Sequence, residues 1–405
     1  MTVAQGINKK TVFKEQTGLG VPATGAGGQE LRRVTSVAKE VRATYENNEI
    51  VGHQQSTGVN LGTASTDWQF DGLLSPGTYA ALLAAMVRKP FSAVAPIVAV
   101  GLTIAGAGPQ YTITRAAGSY LADGVKIGDV IALSVGGLNA NSLNNNIVVI
   151  GLTATVATCI VLNGSSLVAQ GPIAGCTITV RGKKTIAPMT GHTDKLFSIE
   201  EWYADISKSE FFPDVRIGKM DIGLPASGNA TMKISAMGLG VRTPSSVQVL
   251  TNPIAATTTQ VLTGVRGLLV VNGAGIETVT GVTLSMDGNL TAEGPVLGSN
   301  FSPDMSRGRI KVTGQFTGLF DSTTLAELFH NETLTSLLAI MSSDTSNAAD
   351  FVSFNLSAVK LTGDAPDDGE KAIIRTYPFT AQLNAAGGTA LAKDQTIVSI
   401  QDSQA

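Results

Sequence analysis

The sequence predicts a mainly β protein: two β-sandwich or barrel domains, each with a flanking α-helix, and a small all-β domain inserted in the first. Three observations predict it. Short runs rich in Val, Ile, Thr and aromatic residues alternate between apolar and polar positions and end at Gly, Asn or Pro. A strand–helix segment recurs at an offset of 246 residues, from Gln69 to Gln315. Between the two occurrences, residues 91–189 change character: almost no Glu, and brief β-type runs separated by Gly and Asn.

In chain order, residues 1–30 are polar and Gly-rich, and residues 18–28 have the composition of a flexible arm. Residues 31–45 favour a strand, and residues 46–65 read as a polar loop. In Trp68-Gln-Phe-Asp-Gly-Leu-Leu74, the apolar Trp68, Phe70 and Leu74 stand opposite Gln69 and Asp71, the pattern of a half-buried strand. Ser75 then offers an N-cap and Pro76 a first helical residue. Tyr79, Leu82, Leu83 and Met86 form one apolar stripe. Arg88 and Lys89 suit the C-terminal end of that helix, and Pro90 stops it.

Residues 91–109 are the most apolar stretch, but two prolines and several glycines make them strands rather than a membrane span. Further strands are expected at 111–115, 129–134, 147–152, 159–162 and 176–180, the spacing of a small sandwich or barrel. Cys159 and Cys176 lie in this apolar region, too few for a disulfide scaffold and without metal-ligand spacing, so they read as buried free thiols. Strand patterning resumes at 197–206, followed by a hairpin through 216–225 and 230–237. A Thr/Ala-rich linker covers 251–259. Beyond it come strands at 265–271, 279–290 and 309–320, helical sequence at 324–341, and strands at 351–361, 371–383 and 396–400. The resulting division is an arm (1–30), a first domain (31–90 with 190–250), an inserted domain (91–189) and a second domain (251–405).

The duplication is the most informative feature. Gln69-Phe-Asp-Gly-Leu-Leu-Ser-Pro-Gly-Thr-Tyr-Ala-Ala-Leu-Leu83 aligns without a gap to Gln315-Phe-Thr-Gly-Leu-Phe-Asp-Ser-Thr-Thr-Leu-Ala-Glu-Leu-Phe329. Asp321 replaces Ser75, one good N-cap for another. Upstream, Val34-Thr-Ser-Val37 is similar to Val279-Thr-Gly-Val282 at an offset of 245. Two like domains in one chain allow three chains to fill six equivalent places in a ring.

No catalytic or cofactor motif accompanies this pattern. His53, His192 and His330 are scattered, and there is no HExxH, GxSxG or Walker sequence. Gly273-Ala-Gly275 lacks the third glycine of a dinucleotide loop. Neighbouring acids such as Glu200 and Glu201 point to opposite faces of a strand. Charged residues are only 15% of the chain, and the formal net charge is −3. A nucleic-acid binder normally shows a basic balance; a wall past which DNA must slide would be neutral to acidic.

Gln5-Gly-Ile-Asn-Lys9 and Gly25-Ala-Gly-Gly-Gln-Glu-Leu-Arg-Arg-Val-Thr-Ser36, with Tyr45-Glu-Asn-Asn-Glu-Ile50, Gly72-Leu-Leu-Ser-Pro-Gly-Thr-Tyr79 and the ending Gln395-Thr-Ile-Val-Ser-Ile-Gln-Asp-Ser403, resemble siphophage major tail tube proteins. The resemblance implies tube-type β domains whose inner strands join those of neighbouring subunits into a β-barrel around a lumen. With a duplicated domain it implies trimers of pseudo-sixfold symmetry, stacked head to tail, assembled in the host cytoplasm and ending in the virion tail. It also implies contacts with the tape measure, tail terminator and distal tail proteins at the tube ends, passage of DNA, no membrane and no cofactor. Lumen-facing positions would be Asp67, Gln69 and Asp71 in the first copy and Lys311, Thr313, Gln315 and Thr317 in the second. The arm and the loop carrying Tyr45, Glu46, Asn47, Asn48, Glu49 and Ile50 would reach the adjacent ring. The helix stripes, including Leu325, Leu328 and Phe329, would be core or subunit packing. A capsid decoration protein or a carbohydrate-binding adhesin is the alternative structural reading, with a glycan hydrolase behind them.

Overall fold

The computed structural model describes residues 3–53, 55–368 and 370–405. The first strands are β1 (Lys9–Glu15), β2 (Gln29–Glu30), β3 (Thr35–Glu46) and β4 (Val59–Leu73), followed by helix α1 (Ala80–Val87). Three sequence expectations change here. The N-terminal residues are not a free arm: Val12 and Phe13 of β1 are buried, and residues 16–26 are tied down by bonds such as Gly20 N–H to Asp214 and Lys14 to the carbonyls of Thr24 and Ala26. The ladder between β3 and β4 runs out to Glu46 and Val59, so the connecting loop is residues 47–58 rather than 46–65. Ser75 does not cap the helix. Residues 75–78 form a turn with Gly77 at φ +76°, Ser75 and Thr78 hydroxyls meet at 2.6 Å, and α1 starts only after Tyr79. A proline followed by a left-handed glycine is turn chemistry, and it outcompetes the cap.

Strands β5 (Ile97–Ala105), β6 (Gln110–Arg115), β7 (Val130–Ser134), β8 (Ile147–Leu152), β9 (Val156–Val161) and β10 (Gln170–Val180) close into a six-stranded barrel in the order β10–β5–β6–β9–β8–β7. Its interior is filled by Val100, Leu102, Ile113, Tyr120, Leu133, Ile147, Val149 and both cysteines, which are free thiols. Closure removes sheet edges, so the barrel needs no neighbour to satisfy its backbone.

The chain then runs through β11 (Lys183–Ile186), β12 (Phe197–Tyr203), β13 (Lys208–Pro225), β14 (Thr231–Gly238) and β15 (Thr243–Ser245). After the linker come β16 (Gly267–Val271), β17 (Ala274–Ile276), β18 (Val279–Asp287), β19 (Leu290–Ala292), β20 (Met305–Arg307) and β21 (Lys311–Leu319), then helix α2 (Thr324–His330). The last strands are β22 (Thr335–Ser342), β23 (Phe351–Leu361), β24 (Ala365–Pro366), β25 (Ile374–Ala381) and β26 (Ser399–Asp402). The helical sequence expected at 324–341 is therefore half wrong: α2 ends before Asn331, Glu332 turns the chain at φ +50°, and Thr335–Ser342 is a strand. Asp321 does not cap α2, whose N-cap position is Thr323.

Pairing establishes the duplication in three dimensions. The first set is joined in the order β1–β12–β13–β14–β4–β3, and the second in the order β16–β22–β23–β25–β21–β18. Register repeats as well. Ser36 faces Phe70 and Val37 faces Gln69; 246 residues on, Val282 faces Phe316 and Thr283 faces Gln315. A bulge between Val279 and Gly281 inserts one residue, which turns an offset of 245 before it into 246 after it. Phe70 packs on Trp68 and Tyr79, and Phe316 on Tyr377 and Phe379, so each copy is centred on the same aromatic position. Gly72 is required by its copy: a Cβ there would lie 2.0 Å from the Tyr79 hydroxyl. The barrel occupies the connection between α1 and β12, where the second copy has only residues 331–334 between α2 and β22.

Candidate functional site: a shared polar sheet face and a projecting hairpin

The two copies are not separate sheets. Seven residues of β13, Lys219 to Pro225, pair with Asp287 to Gly281 of β18, making one sheet in the order β3–β4–β14–β13–β18–β21–β25. Along each strand, alternate side chains enter a single apolar core that spans both copies, among them Trp68, Phe70, Met220, Ile222, Ile234, Leu284, Met286, Val312, Phe316 and Phe379. The other residues share the opposite face.

Register places that face in rows. One row runs Val37, Gln69, Ser235, Lys219, Asp287, Lys311. The next runs Thr35, Asp71, Lys233, Asp221, Ser285, Thr313, Thr380. Asp67 lies beside Lys39 at 3.3 Å, and Gln315 and Thr317 stand opposite Pro378 and Thr376. All seven polar residues read from the two sequence copies thus fall on one face of one sheet, none of them buried.

Sequence reasoning missed half of the face. Lys39, Lys219, Asp221, Lys233 and Asp287 complete it, on strands recognised only as strands. Their alternation with buried neighbours was a signal, but which face each strand presents depends on pairings hundreds of residues apart. The completed face carries Asp67, Asp71, Asp221 and Asp287 against Lys39, Lys219, Lys233 and Lys311, so its charges cancel. Lys219 and Asp221 pair at 2.9 Å. Exposed pairs of this kind add little stability; their effect is to leave no basic patch that would grip phosphates.

Beyond Val41 and Ala64 the β3–β4 hairpin leaves the sheet and projects. Tyr45 and Glu46 end the strand, with Tyr45 facing Asn60. Asn47, Asn48, Glu49 and Ile50 form the start of the loop, where the Asn47 side chain accepts from Glu49 N–H at 3.1 Å. Tyr45, Ile50 and Leu61 are largely exposed, and Ile50 fully so. The equivalent connection in the second copy is folded down instead. Its β19–β20 pair buries Met305 against Leu196 and Leu239, Asp304 takes Arg216 at 2.7 Å, and Asn300 accepts from Ala64 N–H. Arg216 is also held by Asp194 at 2.7 Å.

The barrel is docked on the far side, away from the polar face. Val130 and Val148 pack on Val270, Leu338, Ile340 and Phe351. Gln401 bonds both the N–H and carbonyl of Val130, and Lys184 bridges Asp129 (2.9 Å) and Asp394 (3.1 Å). Among the described residues no cluster of His, Cys, Asp or Glu is arranged to hold a metal, and no helix is long and apolar enough to cross a membrane.

A family model described as phage tail tube protein matches residues 6–381. No curated protein matches the chain. The match covers both copies of the duplicated module and the barrel between them, and the chain belongs to the phage tail tube protein family, a component of the virion tail.

Proposed function

We propose that three copies of this chain form a pseudo-sixfold ring, that rings stack head to tail into the tail tube, and that the shared polar face lines the lumen through which DNA passes. The observation that carries this reading is the β13–β18 junction. Two equivalent modules present one continuous, electroneutral face, and each is related to the next by the same strand order and register. A repeated junction of that kind closes a ring with heterologous contacts. The chemistry asked of the molecule is passive: a wall without net charge lets a polyanion slide.

The projecting hairpin, with Tyr45 to Ile50 near its tip, is the contact to the adjacent ring. At the tube ends it meets the tape measure, terminator and distal tail proteins. Rings form in the host cytoplasm before the tail is complete. Negative-stain microscopy of purified protein over a concentration series tests the reading. Stacked rings with a central hole support it; a monomer at every concentration overturns it, and would favour a decoration protein or adhesin in which the barrel is the functional part.

A further inference from the structure

We propose that copies join by pairing β3 of one chain with the exposed edge at β24 of the next, with Lys39 facing Ala365 and Ala38 facing Pro366. This rests on the ring reading above and specifies its seam. Within the described residues β3 is laddered only to β4, and β24 only to β25, so each offers one open edge. Open edges invite further strands.

The register follows from the junction each chain already contains. Asp221 of β13 faces Lys233, which faces Asp71; the counterpart of Asp71 is Thr317, which faces Thr376, which faces Ala365. Ala365 therefore holds the place of Asp221. By the same steps through Met232, Gly72, Gly318 and Arg375, Pro366 holds the place of Ile222. Across the built junction Asp221 faces Ser285 and Ile222 faces Leu284. The 246-residue offset carries Ser285 to Lys39 and Leu284 to Ala38. Applying the internal junction to the open edges thus gives Lys39 with Ala365, Ala38 with Pro366 and Val37 with Asp367.

Two details of the edges bear on where the seam can form backbone bonds. Pro366 has no N–H to offer a neighbouring strand. Opposite it stands Ala38, whose own N–H is already taken by Glu201 at 3.2 Å. Two residues along, the Ser36 carbonyl is held by Lys9 at 2.6 Å, and Lys9 and Glu201 form an ion pair of 2.6 Å. In this register the Ala38–Pro366 pair makes no ladder bond, since Pro366 has no donor for the Ala38 carbonyl and the Ala38 N–H stays with Glu201; the backbone bonds of the seam come from the pairs on either side. In the second copy, where β18 is already paired, β16 and β22 carry no charged residue in place of Lys9 and Glu201. The ion pair belongs to the copy whose edge is open.

The test is crosslinking by paired cysteines in assembled protein. Lys39→Cys with Ala365→Cys, and separately Val37→Cys with Asp367→Cys, place directly opposed Cβ atoms at about 5 Å, close enough for a disulfide; the diagonal pair Val37→Cys with Ala365→Cys is held at about 7–8 Å. Cys159 and Cys176 are buried in the barrel and give little background. On mild oxidation the two direct pairs shift the chain to covalent multimers on a denaturing gel, while the diagonal pair and the single variants stay monomeric. Rings that form in the microscope without crosslinks in either direct pair, or with crosslinks in the diagonal pair alone, overturn the seam and leave the ring reading standing. Absence of rings from the unmodified chain overturns both.

Discussion

Gln69 and Gln315 occupy equivalent places in β4 and β21, and both project from the polar face. That face carries as many lysines as aspartates, so two added lysines per chain should give it a net positive charge. With Gln69→Lys and Gln315→Lys combined, tubes should still assemble but retain DNA fragments at low salt and release them as salt rises, because each neutralised phosphate adds to the salt dependence. A filter-retention assay across ionic strength checks this; equal retention by both proteins would remove the face from the lumen. Asp402 makes a different prediction. Burial pushes its carboxyl up to about 6, against the lowering effect of the N–H groups of Gln404 and Gly77. A raised carboxyl binds its proton more tightly folded than unfolded. Its contribution to stability is therefore present below about pH 4 and is lost as pH rises through about 6, an effect of up to about 3 kcal/mol. In Asp402→Asn the change in urea stability between pH 4 and 7 should differ from that of the natural chain by this loss. The buried carboxylate Glu201 accepts from Ser36, Ala38 and Lys9. Glu201→Ala should cost about 3–5 kcal/mol, since it strands Lys9 in a largely buried site, and urea melts will show it.

Among elements, the long hairpin is the one on which the proposed stacking rests. Replacing residues 47–58 by a two-residue Asn-Gly turn keeps the sheet while removing the exposed tip. Single rings without stacks are the expected outcome in the microscope; stacks of normal length would assign inter-ring contact elsewhere. Strands with one wet face were legible in the sequence, because Trp68, Phe70 and Leu74 against Gln69 and Asp71 leave a period of two. Thr335–Ser342 was not, and was read as helix, because nearly every residue in it is buried and the alternation disappears. The turn at Ser75 was misread because Ser-Pro serves both a helix start and a β-turn, and Gly77 decides between them. In the second helix stripe Leu325 and Leu328 are partly buried against the core, and Phe329 stays exposed, the one of the three left to subunit packing.

For the whole molecule, the duplication and the insert were readable from local similarity and composition, and the sheet joining the copies was not. The β13–β18 junction brings Lys219 against Asp287, and nothing in either local sequence announces that pairing. The barrel is self-contained in its own core yet fastened to the second copy by Gln401 and Lys184. Replacing residues 92–184 by a short loop like 331–334 should leave the sheet that joins the two copies intact but uncover Val270, Leu338, Ile340 and Phe351. That protein is expected to aggregate, and to regain solubility when Leu338 and Ile340 are also changed to Thr. Light scattering of the two proteins decides; equal solubility would show that the barrel covers nothing essential.

The junction inside each chain also bears on how quickly a tail can be started. A hoop made of six loose parts must gather six partners from dilute solution and align every seam by collision. When half of those seams are sewn by the polypeptide itself, they close as the chain folds, at the high local concentration a tether provides. In the three-chain ring proposed above, only three seams would remain to be made by encounter. Such a hoop would nucleate at lower protein levels, and a stray odd module could not be built in, because modules would arrive in pairs.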